Sequence, residues 1–542
     1  MEGGGSEHGP PPFFIATAAL LARVRAVTEG KDHMSQAAIE GAAPSPRYRY
    51  WVLAVLILVY MLNFLDRQII GILAPSLIQH FGLTDAQFGL LGGIAFASVY
   101  STLAIPLAWL ADRFSRVWII TGALAVWSGF TALCGVATSF TQLFLFRMGV
   151  GVGEAGGVAP SYSLIADYFP KEQRARALAG YAFGIPIGTA AGTLVGGVLA
   201  VRYGWQTAFI VVGLLGLLAA PLLRLTVKDP VRGGLDKTPA AITPPPAEVA
   251  RKPAPASVQD TRIGGRVGIA LIVIGLLGLA GALAAQAGAA FAGRTVLLAF
   301  GGGLFLVIGL SVWLARATAS VLFVKPSFWL LAVGAASSSV CGYGVAGWLP
   351  SFFMRSFGLT LLQTSWYYAG IALIGGLAGI WLGGVVADRL GRTSRGGYPL
   401  VPAVAFVISA PCFILAMNSG WLIGQIAPDA GGNSATALTI AFLIFLIPTG
   451  LNLTWLGPIT AAVQHLVAPP MRTTASALFL LLNNLLGIAV GFYYFGWMSD
   501  LLAPRFGDES LRWAIYTGMG YYVLAAILFV AASKALKRDW VE

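Results

Sequence analysis

Two charges stand seven residues apart inside a helix-length apolar run: Arg147 and Glu154 in TQLFLFRMGVGVGEAGGVAPSYSLIADYF. Charge in such a run is costly, so it points to a function. A seven-residue step advances an α-helix about 10 Å and returns close to the same face, which directs both side chains into one space. Asp66 and Arg67 sit midway through the first apolar run, in NFLDRQIIGILAP. An ionised carboxylate without partners there either destabilises the helix or takes up a proton, so Asp66 has the chemistry of a proton site. Adjacent helical residues diverge by about 100°, which leaves Arg67 free to pair with Glu154. Arg147 has the chemistry of an anion clamp, because a guanidinium keeps its charge and grips phosphate or carboxylate through two parallel hydrogen bonds. Glu154 is placed to neutralise Arg147 between substrates. A fixed structural salt bridge among the four charges is the competing reading.

The elements that must position these charges follow from composition. With 57% hydrophobic residues, 10% charged residues and a mean hydropathy of +0.79, the chain lies among multi-spanning membrane proteins, and soluble classes are excluded. Its 542 residues have room for a dozen or more spans at roughly 20 apolar residues each. The net charge of +12 does not mark a nucleic-acid binder, because the basic residues sit in short turns between apolar runs, where loop charge sets orientation. Cys134, Cys341 and Cys412 fall inside apolar runs and read as packing residues. No metal or cofactor is expected.

Residues 1–46, rich in Gly, Pro and Ala, read as a disordered tail, within which Met34 is a second candidate start. A first six-helix bundle is expected over 47–228, with spans near 50–79, 86–110, 117–138, 141–165, 174–201 and 205–225. A Pro-rich linker comes next over 229–263. Two further apolar runs over 264–318 read as an inserted transmembrane hairpin outside the bundles, in contact with lipid and dispensable for transport. The remaining residues, 319–542, supply a second six-helix bundle and a short tail. The fold class is therefore all-α, with about fourteen transmembrane helices. Lys and Arg cluster on one side of this arrangement, which predicts that both termini are cytoplasmic in an inner or plasma membrane. Gly184, Gly188, Gly192 and Gly196 recur every fourth residue, a row that lets another helix come very close.

The segment WLADRFSR at Trp109–Arg116 recurs as GVVADRLGR at Gly384–Arg392, at the same place in each half. Such duplication marks two halves related by an axis along the membrane normal. Here the chain resembles the major facilitator superfamily, whose signature G-x-x-x-D-[RK]-x-G-[RK] the second copy matches in full; the first has Ala108 and Ser115 in place of the glycines. The resemblance implies two six-helix bundles and a cytoplasmic gate at Asp112, Arg113, Arg116, Asp388, Arg389 and Arg392.

Within that superfamily, NFLDRQIIGILAP, FRMGVGVGEAGGVAPSYSLIADYFP and GIPIGTAAG resemble the Spinster branch. Spinster proteins are associated with lysolipids and sphingosine phosphate, so the resemblance implies transport of an amphiphilic anion by alternating access. It also implies proton coupling through Asp66 and Glu154 and head-group binding by Arg67 and Arg147. The second half offers polar and aromatic residues instead, of which Tyr367, Asn452 and Asn483 are candidates to line the substrate path. The expected partners are the substrate, protons and membrane lipids, with no nucleic acid and a monomeric chain. Two alternatives stay open: a symporter for small organic anions such as sugar acids, and a passive lipid scramblase or lipid receptor.

Overall fold

The computed structural model describes residues 45–232, 235, 261–285, 292–393, 396–426, 435–468 and 471–541. The expected disordered tail thus lies outside the described residues as far as residue 44, and the Pro-rich linker lies outside them over 236–260. The chain divides into two compact units, Met1–Trp51 and Val52–Glu542. Of the first, only the opening turns of α1 are described; the rest of α1 and every later helix belong to the second.

Proline and glycine set most helix boundaries in the first half. Helix α1 (Pro46–Ile72) gives way to α2 (Ala74–Phe81). Pro75, in the first turn of α2, has no N–H with which to continue the preceding helix. Gly82 then closes α2 in the left-handed conformation, at φ 62°. Thr84 and Gln87 form a reciprocal capping box at the start of α3 (Asp85–Gly89). A π-helical turn, Leu90–Ile94, leads from there into α4 (Ala95–Ala111). Ser115 caps α5 (Arg116–Cys134) and Ser139 caps α6 (Phe140–Glu154). The run expected as one span over 141–165 is broken: α6 stops at Glu154, and α7 (Val158–Tyr168) resumes after Ala155–Gly157. Helices α8 (Lys171–Ala182), α9 (Gly184–Tyr203) and α10 (Trp205–Thr226) complete the half.

The insertion forms α11 (Arg262–Ala285) and α12 (Ala292–Leu314). The chain then turns by 90° into α13 (Arg316–Phe323). The second half runs through α14 (Pro326–Ser356), α15 (Leu361–Thr393), α16 (Gly397–Met417) and α17 (Ser419–Ile426). It ends with α18 (Ala435–Leu451), α19 (Leu456–Gln464), α20 (Arg472–Phe506) and α21 (Ser510–Asp539). No strand occurs among the described residues. By length and composition, eleven stretches of them can cross a membrane, or twelve if the bent pair at Ala315 is one span. The count of about fourteen is not recovered by that test, because α6 and α7 are too short singly and because α20 and α21 merge into one stretch.

In the first half, α5 packs on α6 and α10, and α4 packs on α6. The glycine row finds its partner in α1: a Cβ on Gly192 would lie 2.5 Å from the Leu65 carbonyl oxygen, and one on Gly184 3.1 Å from the Tyr60 ring. At Gly192 only hydrogen fits and at Gly184 a Cβ would be tight, so the row holds the helix that carries Asp66 and Arg67 close against α9. In the second half, α14 packs on α20 and α21, and α16 packs on α18 and α21. The two halves meet where α3 and α4 pack on α20 and where α9 packs on α15.

The insertion touches both halves. Helices α11 and α12 pack tightly together, with Gly275 against Gly302 and Gly268 against Trp313. Helix α12 also contacts α4 of the first half, while α13 contacts α14 and α20 of the second. The hairpin expected to face lipid thus packs on α4 along one flank. Its other flank is exposed at Ile274, Leu276 and Leu277.

Beyond α21 the chain folds back. Val541 N donates to the His465 carbonyl at 2.8 Å, Trp540 stacks on His465 at 4.0 Å, and Lys325 Nζ donates to the carbonyls of Leu466 (2.6 Å) and Asp539 (3.0 Å). Lys325 is held below the usual lysine range by burial, which Asp539 partly offsets.

Candidate substrate and coupling site

The four charges come together as two pairs. Arg67 Nε donates to Glu154 Oε2 at 2.7 Å, and Arg147 Nη1 stands 3.5 Å from Asp66 Oδ1. Asp66 and Arg147 are each 1% exposed and Glu154 0%. The pairing of Arg67 with Glu154 agrees with the sequence expectation. The expected neutralisation of Arg147 by Glu154 does not occur in this conformation, because Arg67 takes Glu154 and Arg147 faces Asp66. Adjacent residues on α1 diverge, so each meets a different charge of α6.

Polar and aromatic neighbours fix the geometry. Thr131 on α5 donates its hydroxyl to Asp66 Oδ2. The Arg67 guanidinium lies over Phe64 (5.1 Å), Phe96 (4.9 Å) and Tyr100 (4.4 Å). Arg147 lies over the same Phe96 ring at 5.5 Å, so one aromatic side chain of α4 attracts both guanidiniums. Among the described residues, Arg147 Nε and Nη1, Arg67 Nη2, Asp66 Oδ1 and Glu154 Oε1 have no hydrogen-bond partner. The cluster therefore holds donors and acceptors uncommitted to the fold, a property suited to taking an anion and a proton. Sequence reasoning missed Thr131 and Phe96. Thr131 left a faint signal as a hydroxyl in an apolar run, whereas Phe96 is one of 31 phenylalanines.

The second-half candidates lie elsewhere. Tyr367 donates to the Leu438 carbonyl at 2.5 Å, Asn452 accepts from Tyr522 at 3.0 Å, and Asn483 accepts from Ser339 at 2.9 Å. Each of these bonds stays within the second half.

At the motif turn, Arg116 is 2% exposed. It donates to Asp229 (2.9 Å), Ser163 (2.9 Å), the Pro230 carbonyl (2.9 Å) and Asp167. Arg113 lies over Trp109 at 3.6 Å, and Arg232 donates to the carbonyls of Ala111 (2.7 Å) and Asp112. All these partners belong to the first half or to the start of the linker, so the turn is tied to its own bundle. Arg389 is exposed near the end of α15, and the side chains of Asp388 and Arg392 lie outside the described residues.

The opposite end is closed across the halves. Arg355 on α14 makes two 2.7 Å bonds to the Asp85 carboxylate, which also accepts from Ser499 at 2.8 Å. Asp500 accepts from the backbone N–H groups of Asp85 (3.1 Å) and Ala86 (2.8 Å), at the N-terminus of α3. A separate pocket of about 390 Å³, lined by Ser356, Met417, Trp421 and Arg512 among others, includes none of the four charges.

Residues 56–492 match the Major Facilitator Superfamily. Among individual proteins, the chain is 28% identical over 498 residues to an MFS-type efflux pump of Mycolicibacterium smegmatis, covering 92% of this chain and 95% of that one. It is 26% identical over 533 residues to protein spinster homolog 1 of Xenopus tropicalis, covering 94% and 85%. Among solved structures it resembles a bacterial homolog of the human lysosomal transporter Spinster, in an inward-facing and unoccupied conformation. That likeness has a TM-score of 0.67 and 26% identity, and covers 92% of this chain and 100% of the other. With an all-helical fold, many spans and a match over most of its length, the chain belongs to the Major Facilitator Superfamily: it is a multi-pass membrane transporter, similar to Spinster proteins, and not an enzyme.

Proposed function

We propose that this transporter carries an amphiphilic anion, a lysolipid or sphingolipid-like molecule, by alternating access coupled to protons. The observation that carries the reading is the buried cluster of two carboxylates and two guanidiniums with uncommitted donors and acceptors. Arg147 and Arg67 hold the anionic head group, and Asp66 and Glu154 exchange the proton. Substrate competes with Asp66 for Arg147, and protonation of Asp66 removes that competition. Tyr367, Asn452 and Asn483 line the more apolar second half, where an acyl tail lies.

The closed Asp85–Arg355 end and the inward-facing relative support assigning this conformation as open to the cytoplasm. The Lys and Arg bias of the turns supports both termini lying there. The motif residues Asp112, Arg113, Arg116, Asp388, Arg389 and Arg392 then form the gate that closes in the opposite state. The bundles extend over 47–228 and 319–542, joined by the linker and the hairpin, and the chain works as a monomer.

The test is transport in proteoliposomes, lysolipid against sugar acid, with and without a pH gradient. Gradient-driven movement of the lysolipid, abolished in Asp66→Asn with binding retained, is the expected result. Unchanged gradient-driven transport in that variant would remove Asp66 from the coupling; gradient-driven movement of the sugar acid alone would replace the lipid assignment.

A further inference from the structure

Helix α14 contains Pro350 in its interior. Proline lacks an N–H, so the carbonyl four residues earlier, that of Ala346, has no helical donor. Two side chains fill it: Tyr368 Oη donates at 3.1 Å and Gln68 Nε2 at 3.3 Å. Tyr368 belongs to the same half as Ala346. Gln68 belongs to the other half and directly follows Asp66 and Arg67.

The contact is buried, with Gln68 7% and Tyr368 3% exposed. It is also close: a Cβ on Gly71, one turn further along α1, would lie 3.0 Å from the Gly347 carbonyl oxygen. Three consecutive residues of α1 thus meet different partners. Asp66 meets Thr131 and Arg147, Arg67 meets Glu154, and Gln68 meets the second half. A shift of this turn caused by a change at either ion pair must alter the reach of Gln68 to α14.

We infer that Gln68 is a positioning residue, whose amide links the Asp66–Arg67 turn to closure of the two halves through the carbonyl that Pro350 leaves free. The inference rests on the reading of that cluster as the substrate and proton site. Having two donors makes the link reversible. If Gln68 withdraws, Tyr368 still satisfies the carbonyl, so no buried acceptor is orphaned.

The experiment measures the distance between spin labels at Gln79 and Thr360, two exposed positions near Asp85 and Arg355 in sequence, in the full-length reconstituted transporter. Gln68→Leu removes the donor at similar volume. Pro350→Ala restores the N–H at position 350, which competes for the carbonyl. Both are expected to raise the population with the longer distance by about threefold to tenfold, the effect of one net hydrogen bond. Tyr368→Phe, which removes the donor from within the second half, is expected to leave the distribution near wild type. Acidification should shift the wild-type distribution more than that of Gln68→Leu, a difference that a purely structural role would not produce.

An unmoved distribution in Gln68→Leu, or equal effects of Gln68→Leu and Tyr368→Phe, would overturn the inference. Failure of the transport reading is distinguishable, since lysolipid movement would then be absent in wild type whatever the distances show.

Discussion

Arg147 is buried, stands 3.5 Å from Asp66 and, among the described residues, has two nitrogens that make no hydrogen bond. That combination is compatible with a head-group reader, and the ligand's charge dependence tells it from a structural ion pair. If Arg147 grips an anion, Arg147→Lys weakens binding because an ammonium lacks the two-pronged geometry, and Arg147→Ala weakens it further. Losing one partner of a desolvated pair costs about 2–5 kcal/mol, on the order of 30-fold or more in affinity. A neutral analogue with the same acyl chain should bind both forms equally by titration calorimetry. Parallel loss of both ligands would make Arg147 an organiser of the bundle.

His465 supports a second prediction at this scale. Burial and the nearby Arg472 hold its imidazole below the usual range, against the opposing pull of the Val541 backbone. The unfolded chain therefore binds the extra proton first, and the stability contribution is lost as pH falls through about 6.5. His465→Phe keeps a ring against Trp540 and should flatten thermal stability measured from pH 8 to pH 5.

At the scale of elements, the glycine row and the hairpin make opposite demands. A Cβ on Gly192 meets the Leu65 backbone, which cannot swing away, so Gly192→Ala should lose about 1–3 kcal/mol in detergent melts. Gly301→Ala, where a Cβ meets nothing within 4 Å, is the control and should melt with wild type. Deleting the hairpin should lower the melting temperature, because α12 leaves α4 and α13 loses the packing of α11. Transport should persist, since none of the four charges lies on it; a folded deletion variant without transport would make the hairpin part of the cycle.

What could be read from sequence differs sharply between these elements. The four charges and the glycine row stand out because each violates the composition around it. That Arg147 meets Asp66 was not legible, since it depends on how α1 and α6 are rotated against each other. The Ala346 carbonyl is a middle case: Pro350 announces a free acceptor four residues upstream, but only packing shows that Gln68 reaches it. The break between α6 and α7 follows from Gly156, Gly157 and Pro160, which an unbroken apolar pattern conceals.

For the whole molecule, the two Phe96-linked pairs carry an electrical consequence. Asp66 and Glu154 against Arg67 and Arg147 sum to zero charge. On the proposed cycle, the empty cluster crosses as a neutral body, and so does one loaded with a monovalent anion and one proton. Moving a single uncompensated charge would couple to the membrane voltage by about 2.3 kcal/mol per 100 mV; this cluster leaves nothing for the voltage to act on. Uptake driven by a pH gradient in proteoliposomes should then keep the same rate when a potassium diffusion potential is imposed, and solid-supported membranes should register no steady current. A rate that followed the voltage would mean that anion and proton do not travel one for one.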